Sequence, residues 1–168
     1  MKHLKSFLVA IALIGAVSFA NAQSKVAHIN VQQLMSEMPE FKAAQAELKK
    51  LEDNYKADLT SSYTELQNKI KQYSGEVKTK TEQENAARQQ EVQGLQANIA
   101  KAEQVAQQEL QKKQMELYEP LLKKANDAIQ KVAKAQGFEY VFDASPGTGI
   151  ILADGKDLLP EVKKELGF

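Results

Sequence analysis

Outside the first 22 residues the chain has one histidine, His28, and it has no cysteine anywhere. A general base or a metal site at His28 would need carboxylate or histidine partners at strand or helix spacing. The surrounding KVAHINV supplies none, so His28 reads as an ordinary strand residue. Without cysteine there can be no thiol catalysis, cysteine-ligated zinc or disulfide. No P-loop, G-x-S-x-G, H-E-x-x-H or G-x-G-x-x-G pattern occurs, and the glycines of SPGTG and ADG read as turns. The expectation is a protein with no catalytic residues, cofactor or metal.

The remaining polar chemistry is charge. Lys69, Lys71, Lys78 and Lys80 gather in the middle of the chain and are candidate contacts for a membrane or lipopolysaccharide. Glu76 and Glu82 interleave with them, and a cluster of mixed sign reads first as a solvated helix face. Glu47 with Lys50, and Glu109 with Lys113, are spaced as ion pairs within one helix, each worth about 0.2–0.5 kcal/mol.

Among the elements that carry these residues, the first, residues 1–22, reads as a secretory signal peptide. Lys2 and Lys5 form its basic start, Phe7 to Phe19 its apolar stretch, and Ala20-Asn21-Ala22 the cleavage motif before Gln23. That apolar stretch is shorter than the roughly 20 residues a bilayer crossing takes. Removing residues 1–22 leaves 20 basic and 22 acidic side chains, a balance that argues against a nucleic-acid binder.

Three regions follow, with boundaries at 23–39, 40–136 and 137–168. Lys25 to Val31 alternates as a strand, and QQLMSEM forms a short helix stopping at Pro39. From Glu40 to Gln136 apolar residues recur at gaps of three and four. Ile99, Leu110, Leu121 and Val132 lie eleven apart, as do Leu95, Ala106, Leu117 and Ala128. Such a repeat gives nearly straight helices packed along one narrow seam. The region predicts an antiparallel helical hairpin with its tip within 78–90 and its midpoint near Arg88, and a kink at Pro120. Gly137 ends the second helix, Phe138 to Asp143 and Gly149 to Ala153 read as strands, and Asp157 caps a closing helix. The fold class is therefore α+β, mainly α: a small β body at the base of a long coiled-coil hairpin. A body of about 50 residues without disulfides is too small to be stable alone. Self-association is expected through Val26, Ile29, Val31, Phe138, Val141, Phe142, Ile150 and Leu152.

An opening strand KVAHINV, a long charged hairpin, then Tyr140-Val141-Phe142-Asp143-Ala144-Ser145, a further strand and an Asp-led helix resemble, in order and spacing, the Skp/OmpH family of periplasmic chaperones. The resemblance spans essentially the whole chain after residue 22. It implies a homotrimer whose helical arms enclose a cavity and hold unfolded outer-membrane β-barrel proteins without ATP. It also implies periplasmic localisation. Members of the family are strongly basic, whereas the hairpin here, residues 41–136, carries 16 basic and 14 acidic side chains. Where the family often has threonine at the start of the last helix, this chain has Leu159. The competing expectation is a structural or adaptor coiled coil of the cell envelope, with one defined folded partner.

Overall fold

A computed structural model describes residues 25–168, so the signal peptide and the Ala22–Gln23 cleavage point lie outside the described residues. The elements in order are β1 (Val26–Ile29), α1 (Val31–Glu37), α2 (Pro39–Glu76), a 3₁₀ turn (Val77–Thr79), α3 (Glu82–Ala135), β2 (Tyr140–Asp143), β3 (Lys156–Asp157) and α4 (Leu159–Leu166). They divide into two compact units. One holds residues 25–35 and 125–168; the other is Ser36–Lys124.

The first unit is built on a parallel three-stranded sheet of order β2-β1-β3. Val26 aligns with Tyr140 and His28 with Phe142, while His28 also aligns with Asp157 on the other side. Ala27 and Ile29 point to the covered face and are buried with Leu34, Met35, Ala128, Ile129, Val132, Leu158 and Val162. Two helix ends in this unit close on glycine. Gly137 has φ +73°, the Phe138 N–H reaches the Ala133 carbonyl at 3.0 Å and the Gly137 N–H reaches Lys134 at 3.1 Å. Gly167 repeats the arrangement at φ +88°. Both are the paired hydrogen bonds of a Schellman stop.

Three expectations for this unit need correction. The first strand ends at Ile29, and Val31 opens α1, because Asn30 is a helix cap: its Oδ1 accepts the Gln33 N–H at 2.8 Å. The segment Gly149 to Ala153 is not a strand. β1 is central, with β2 on one side and Lys156–Asp157 on the other, and the apolar run pairs with neither outer edge. Asp157 does accept the Leu159 N–H at 2.9 Å, one residue outside the cap position, which Leu158 occupies.

The second unit is a helix pair. Phe41 stacks on Tyr118 with ring centroids 4.7 Å apart, Glu47 pairs with Lys113 at 2.7 Å, Tyr63 donates to Glu103 at 2.8 Å and Arg88 pairs with Glu76 at 2.5 Å. As the α2 number rises the α3 number falls, so the helices run antiparallel. The turn between them is Val77 to Thr81, upstream of the Arg88 midpoint expected from symmetry. α2 would span about 57 Å over its 38 residues at roughly 1.5 Å each. α3 continues through the exposed Pro120.

Candidate functional site

Among the described residues no group of three metal-ligating side chains occurs, and no helix is long and apolar enough to cross a membrane. The functional candidates are therefore surfaces: the open face of the sheet in one unit and the helix pair in the other.

Alternation along β1 puts Val26 and His28 opposite Ala27 and Ile29, and parallel pairing carries Tyr140 and Phe142 to the same open face. Val26 is 44%, Tyr140 57% and Phe142 47% exposed. A β2 with its apolar side chains on the uncovered face breaks the usual assignment of such residues to the core. His28 lies half-buried among them, aligned with Asp157. The expected association residues thus separate. Val26 and Phe142 are on the open face, and Ile29 is in the core. Val31, Phe138 and Val141 are half-buried, and Ile150 and Leu152 sit exposed in the irregular segment around the fully exposed Ile151.

Asp143 ends β2 opposite Ile29. Its Oδ1 accepts the Ser145 hydroxyl at 2.5 Å, the Ser145 N–H at 2.9 Å and the Val31 N–H at 3.2 Å. Ser145 Oγ in turn accepts the Gln32 N–H at 3.0 Å. Partial burial pushes the Asp143 carboxyl up, but the hydrogen bonds from Ser145 and Val31 outweigh it and hold the acid below its ordinary value. The Asp-Ala-Ser sequence therefore ties the start of α1 to the end of β2. Asn30 and Gln33, spaced as cap and third residue, were the sequence signal for half of this network; its long-range half had none.

In the helix pair, the buried or half-buried seam on α3 runs Arg88, Val92, Leu95, Ile99, Ala106, Leu110, Leu117 and Leu121. The turn is fixed by a capping box. The Thr81 N–H donates to Glu84 Oε2 at 2.8 Å, and the Glu84 N–H returns to Thr81 Oγ1 at 3.2 Å. The Thr81 N–H and hydroxyl, with Lys80, draw the Glu84 carboxyl down to about 2. Asn85 Nδ2 bridges the Val77 and Lys80 carbonyls at 3.0 and 3.4 Å.

Of the expected tip lysines, Lys69 is held by Glu91 and Lys80 by Glu84 at 3.2 Å. No ion pair among the described residues holds Lys71 or Lys78. The expected pairs within one helix also change partner: Glu47 bonds Lys113 across the two helices, because both flank the seam on the same side. Tyr73 donates to Glu91 at 2.5 Å, and the Arg88 guanidinium lies 4.6 Å over the Tyr73 ring.

The two sides of the pair differ. On one, the groove between the helices is lined by Glu47, Lys50, Glu109, Lys112, Lys113 and Glu116. On the other, nearer the turn, it is lined by Ile70, Val77, Asn85, Gln89, Val92 and Gln93 along with Tyr73 and Arg88.

With this geometry in place, comparison with known proteins decides the family. Residues 25–166 match the family described as outer membrane protein (OmpH-like). The chain belongs to the Skp/OmpH family. It is 28% identical to the chaperone protein Skp of Photorhabdus laumondii, covering 97% of this chain and 99% of that one. It is 24% identical to the chaperone protein Skp of Pectobacterium atrosepticum over the same shares. An OmpH-like structure from Caulobacter crescentus CB15 superposes with a TM-score of 0.75 at 20% identity, covering 88% of this chain and 86% of that one. That similarity establishes the α+β, mainly α fold. The Skp relatives are chaperones, not enzymes, which places the chain in a non-catalytic class.

Proposed function

We propose that this Skp/OmpH-family protein is an ATP-independent holdase of the periplasm that binds unfolded outer-membrane β-barrel proteins between the helical arms of a homotrimer and keeps them from aggregating. The observation that carries the proposal is the helix pair itself: an apolar seam one residue row wide, exposed apolar side chains beside it, and a capped polar turn. Such a surface offers many weak contacts along open grooves. Weak, numerous contacts suit a client that must later leave, because an unfolded barrel exposes apolar segments and unpaired strand edges that aggregate in water. Release then follows from the client's own folding.

The open sheet face supports self-association. Val26, Tyr140 and Phe142 form an exposed apolar cluster on a unit too small to be robust alone. The export motif ending at Ala22 supports periplasmic localisation.

Dilution of a urea-unfolded outer-membrane barrel into buffer containing residues 23–168 tests the proposal. Light scattering should be suppressed near one trimer per client, without nucleotide. Unchanged scattering refutes it. Capture of one folded partner at fixed stoichiometry, with no protection of unfolded barrels, would establish an adaptor instead.

A further inference from the structure

The charge on α3 is sorted by side. Take each buried or half-buried seam position and step one residue forward, a rotation of about 100°. Arg88, Val92, Leu95, Ala106 and Leu110 give Gln89, Gln93, Gln96, Gln107 and Gln111, all exposed. The same step from Ile99, Leu117 and Leu121 gives Ala100, Tyr118 and Leu122. None of these eight residues is charged; Glu103 and Lys113 are half-buried beside the seam, and Tyr118 is followed by Glu119. Stepping one residue back or three forward reaches the other flank, with Glu91, Glu109, Lys113, Glu116 and Lys124.

Exposed apolar side chains follow the neutral flank. Met115 and Leu122 lie four and eleven residues beyond Gln111 on α3, and along α2 and into the turn after it Tyr63, Ile70 and Val77 repeat at seven. Val105 is the exception, one residue before Ala106. The groove on this side has Arg88 as its one charged lining residue, and Arg88 is held by Glu76 and the Tyr73 ring. On α2 the row through Thr60, Tyr63, Gln67, Ile70 and Ser74 is neutral, with Lys71 at its margin; toward the other end Lys49, Glu52 and Lys56 restore charge.

We infer that the glutamine-and-apolar flank is the side that touches the client, and that it recognises uncharged, unfolded polypeptide through side-chain amides and apolar contacts, not through ion pairs. This inference rests on the holdase proposal and names the surface within it. Covering the opposite flank would strip water from rows of lysine and glutamate, at a heavy desolvation cost. A glutamine amide both donates and accepts. It can therefore meet either of the unpaired backbone groups that an unfolded barrel strand presents, whatever the sequence. The amides also stay in water at little loss once the client leaves. The occupant is thus an unfolded chain segment of low charge, the counterpart in charge of this flank.

Two composition-matched triple variants of the full mature chain test this. One is Gln89→Lys, Gln96→Lys and Gln107→Lys on the neutral flank. The other is Gln83→Lys, Gln90→Lys and Gln108→Lys, all exposed and off the neutral flank, five residues before and two past Arg88 and two past Ala106. Both replace three glutamines and add the same charge to the same helix, and lysine and glutamine have nearly equal helix propensity. The flank triple should need about tenfold more protein for half-suppression of barrel aggregation, as expected for desolvating charge on contact. The off-flank triple should stay within about twofold of wild type on that scale. Wild-type protection should also persist at 1 M salt, where the Debye length falls to about 3 Å. Equal loss in both triples, or wild-type protection abolished by salt, overturns the inference while leaving the holdase proposal standing. A wild type that protects nothing overturns the holdase proposal itself. A flank triple whose sedimentation shows a changed oligomer assigns this flank to contact between copies, which also overturns the inference.

Discussion

In the homotrimer proposed above, replacing Phe142 by alanine should dissociate the copies without unfolding the chain. Phe142 is 47% exposed on the open face, so of a phenylalanine surface near 200 Å² about 95 Å² remains to be covered by other copies. At about 25 cal/mol per Å² that burial contributes roughly 2.4 kcal/mol per copy, or about 7 kcal/mol over three. A loss of that size lowers the trimer association constant by about five orders of magnitude. Because trimer formation depends on the square of free monomer concentration, the half-assembly concentration should rise by roughly 300-fold. Sedimentation equilibrium of wild type and variant between about 1 and 100 μM measures the shift, with circular dichroism to confirm equal helix content. A variant whose half-assembly concentration moves by less than about threefold would show that the open face is not what holds the copies together.

Three further outcomes follow from named contacts. Asp143→Ala removes the acceptor for Val31 and Ser145 and should cost about 1–2 kcal/mol, read as faster hydrogen exchange at the Leu34 amide; unchanged protection refutes the role. Because the folded state lowers the Asp143 pKa, its contribution is present above the unfolded value of about 3.9 and is lost as pH falls through the folded one. Loss of α1 protection should therefore set in below about pH 4 in wild type, and Asp143→Asn should flatten this component. Thr81→Ala keeps the backbone N–H that is the main cause and removes only the hydroxyl, so Glu84 should titrate part of the way upward from about 2, followed by NMR; an unmoved Glu84 means the hydroxyl is not among the causes. Gly137→Ala forces a side chain to φ +73° and should destabilise by about 1 kcal/mol, whereas Gly94→Ala, with open space inside α3, should stabilise by up to about 1 kcal/mol. Denaturation midpoints moving the same way in both would refute the backbone explanation.

The helix pair was legible because burial on a long helix leaves a period. Ile99 and Ala106 fall in the seam that the eleven-residue repeat marks, and both are buried. The sheet was less legible, because short apolar runs carry no information about their partners. Gly149 to Ala153 has strand chemistry yet stays out of the sheet, while Lys156–Asp157, polar and two residues long, takes the edge of β1. Capping depends on contacts at a sequence distance of over 100 residues, as between Asp143 and Val31, and no local pattern reports those. The sorted flanks of α3 were present in the sequence throughout. They become visible only when the seam fixes which residue precedes it and which follows.

That sorting also bears on how firmly the pair is held. Its cross-links, Glu40 with Lys124, Glu47 with Lys113, Tyr63 with Glu103 and Lys69 with Glu91, lie at the edges of the seam with substantial exposure. Exposed pairs of this kind contribute about 0–1 kcal/mol each and weaken with salt. The seam itself relies on Ala44, Leu66, Ile99 and Ala106 as its buried residues, small side chains among them, so little apolar area holds each turn of helix. By contrast Ile29, Leu34, Leu158 and Val162 are almost wholly buried in the other unit. Local stability follows such burial, so the helix pair should open at lower free energy than the sheet unit. A surface that binds many different unfolded segments, as proposed, must adjust to each, and a thinly held pair with neutral amides on one flank would do so at small cost. In the proposed homotrimer the sheet unit, packed more fully, would keep copies together while the helices conform.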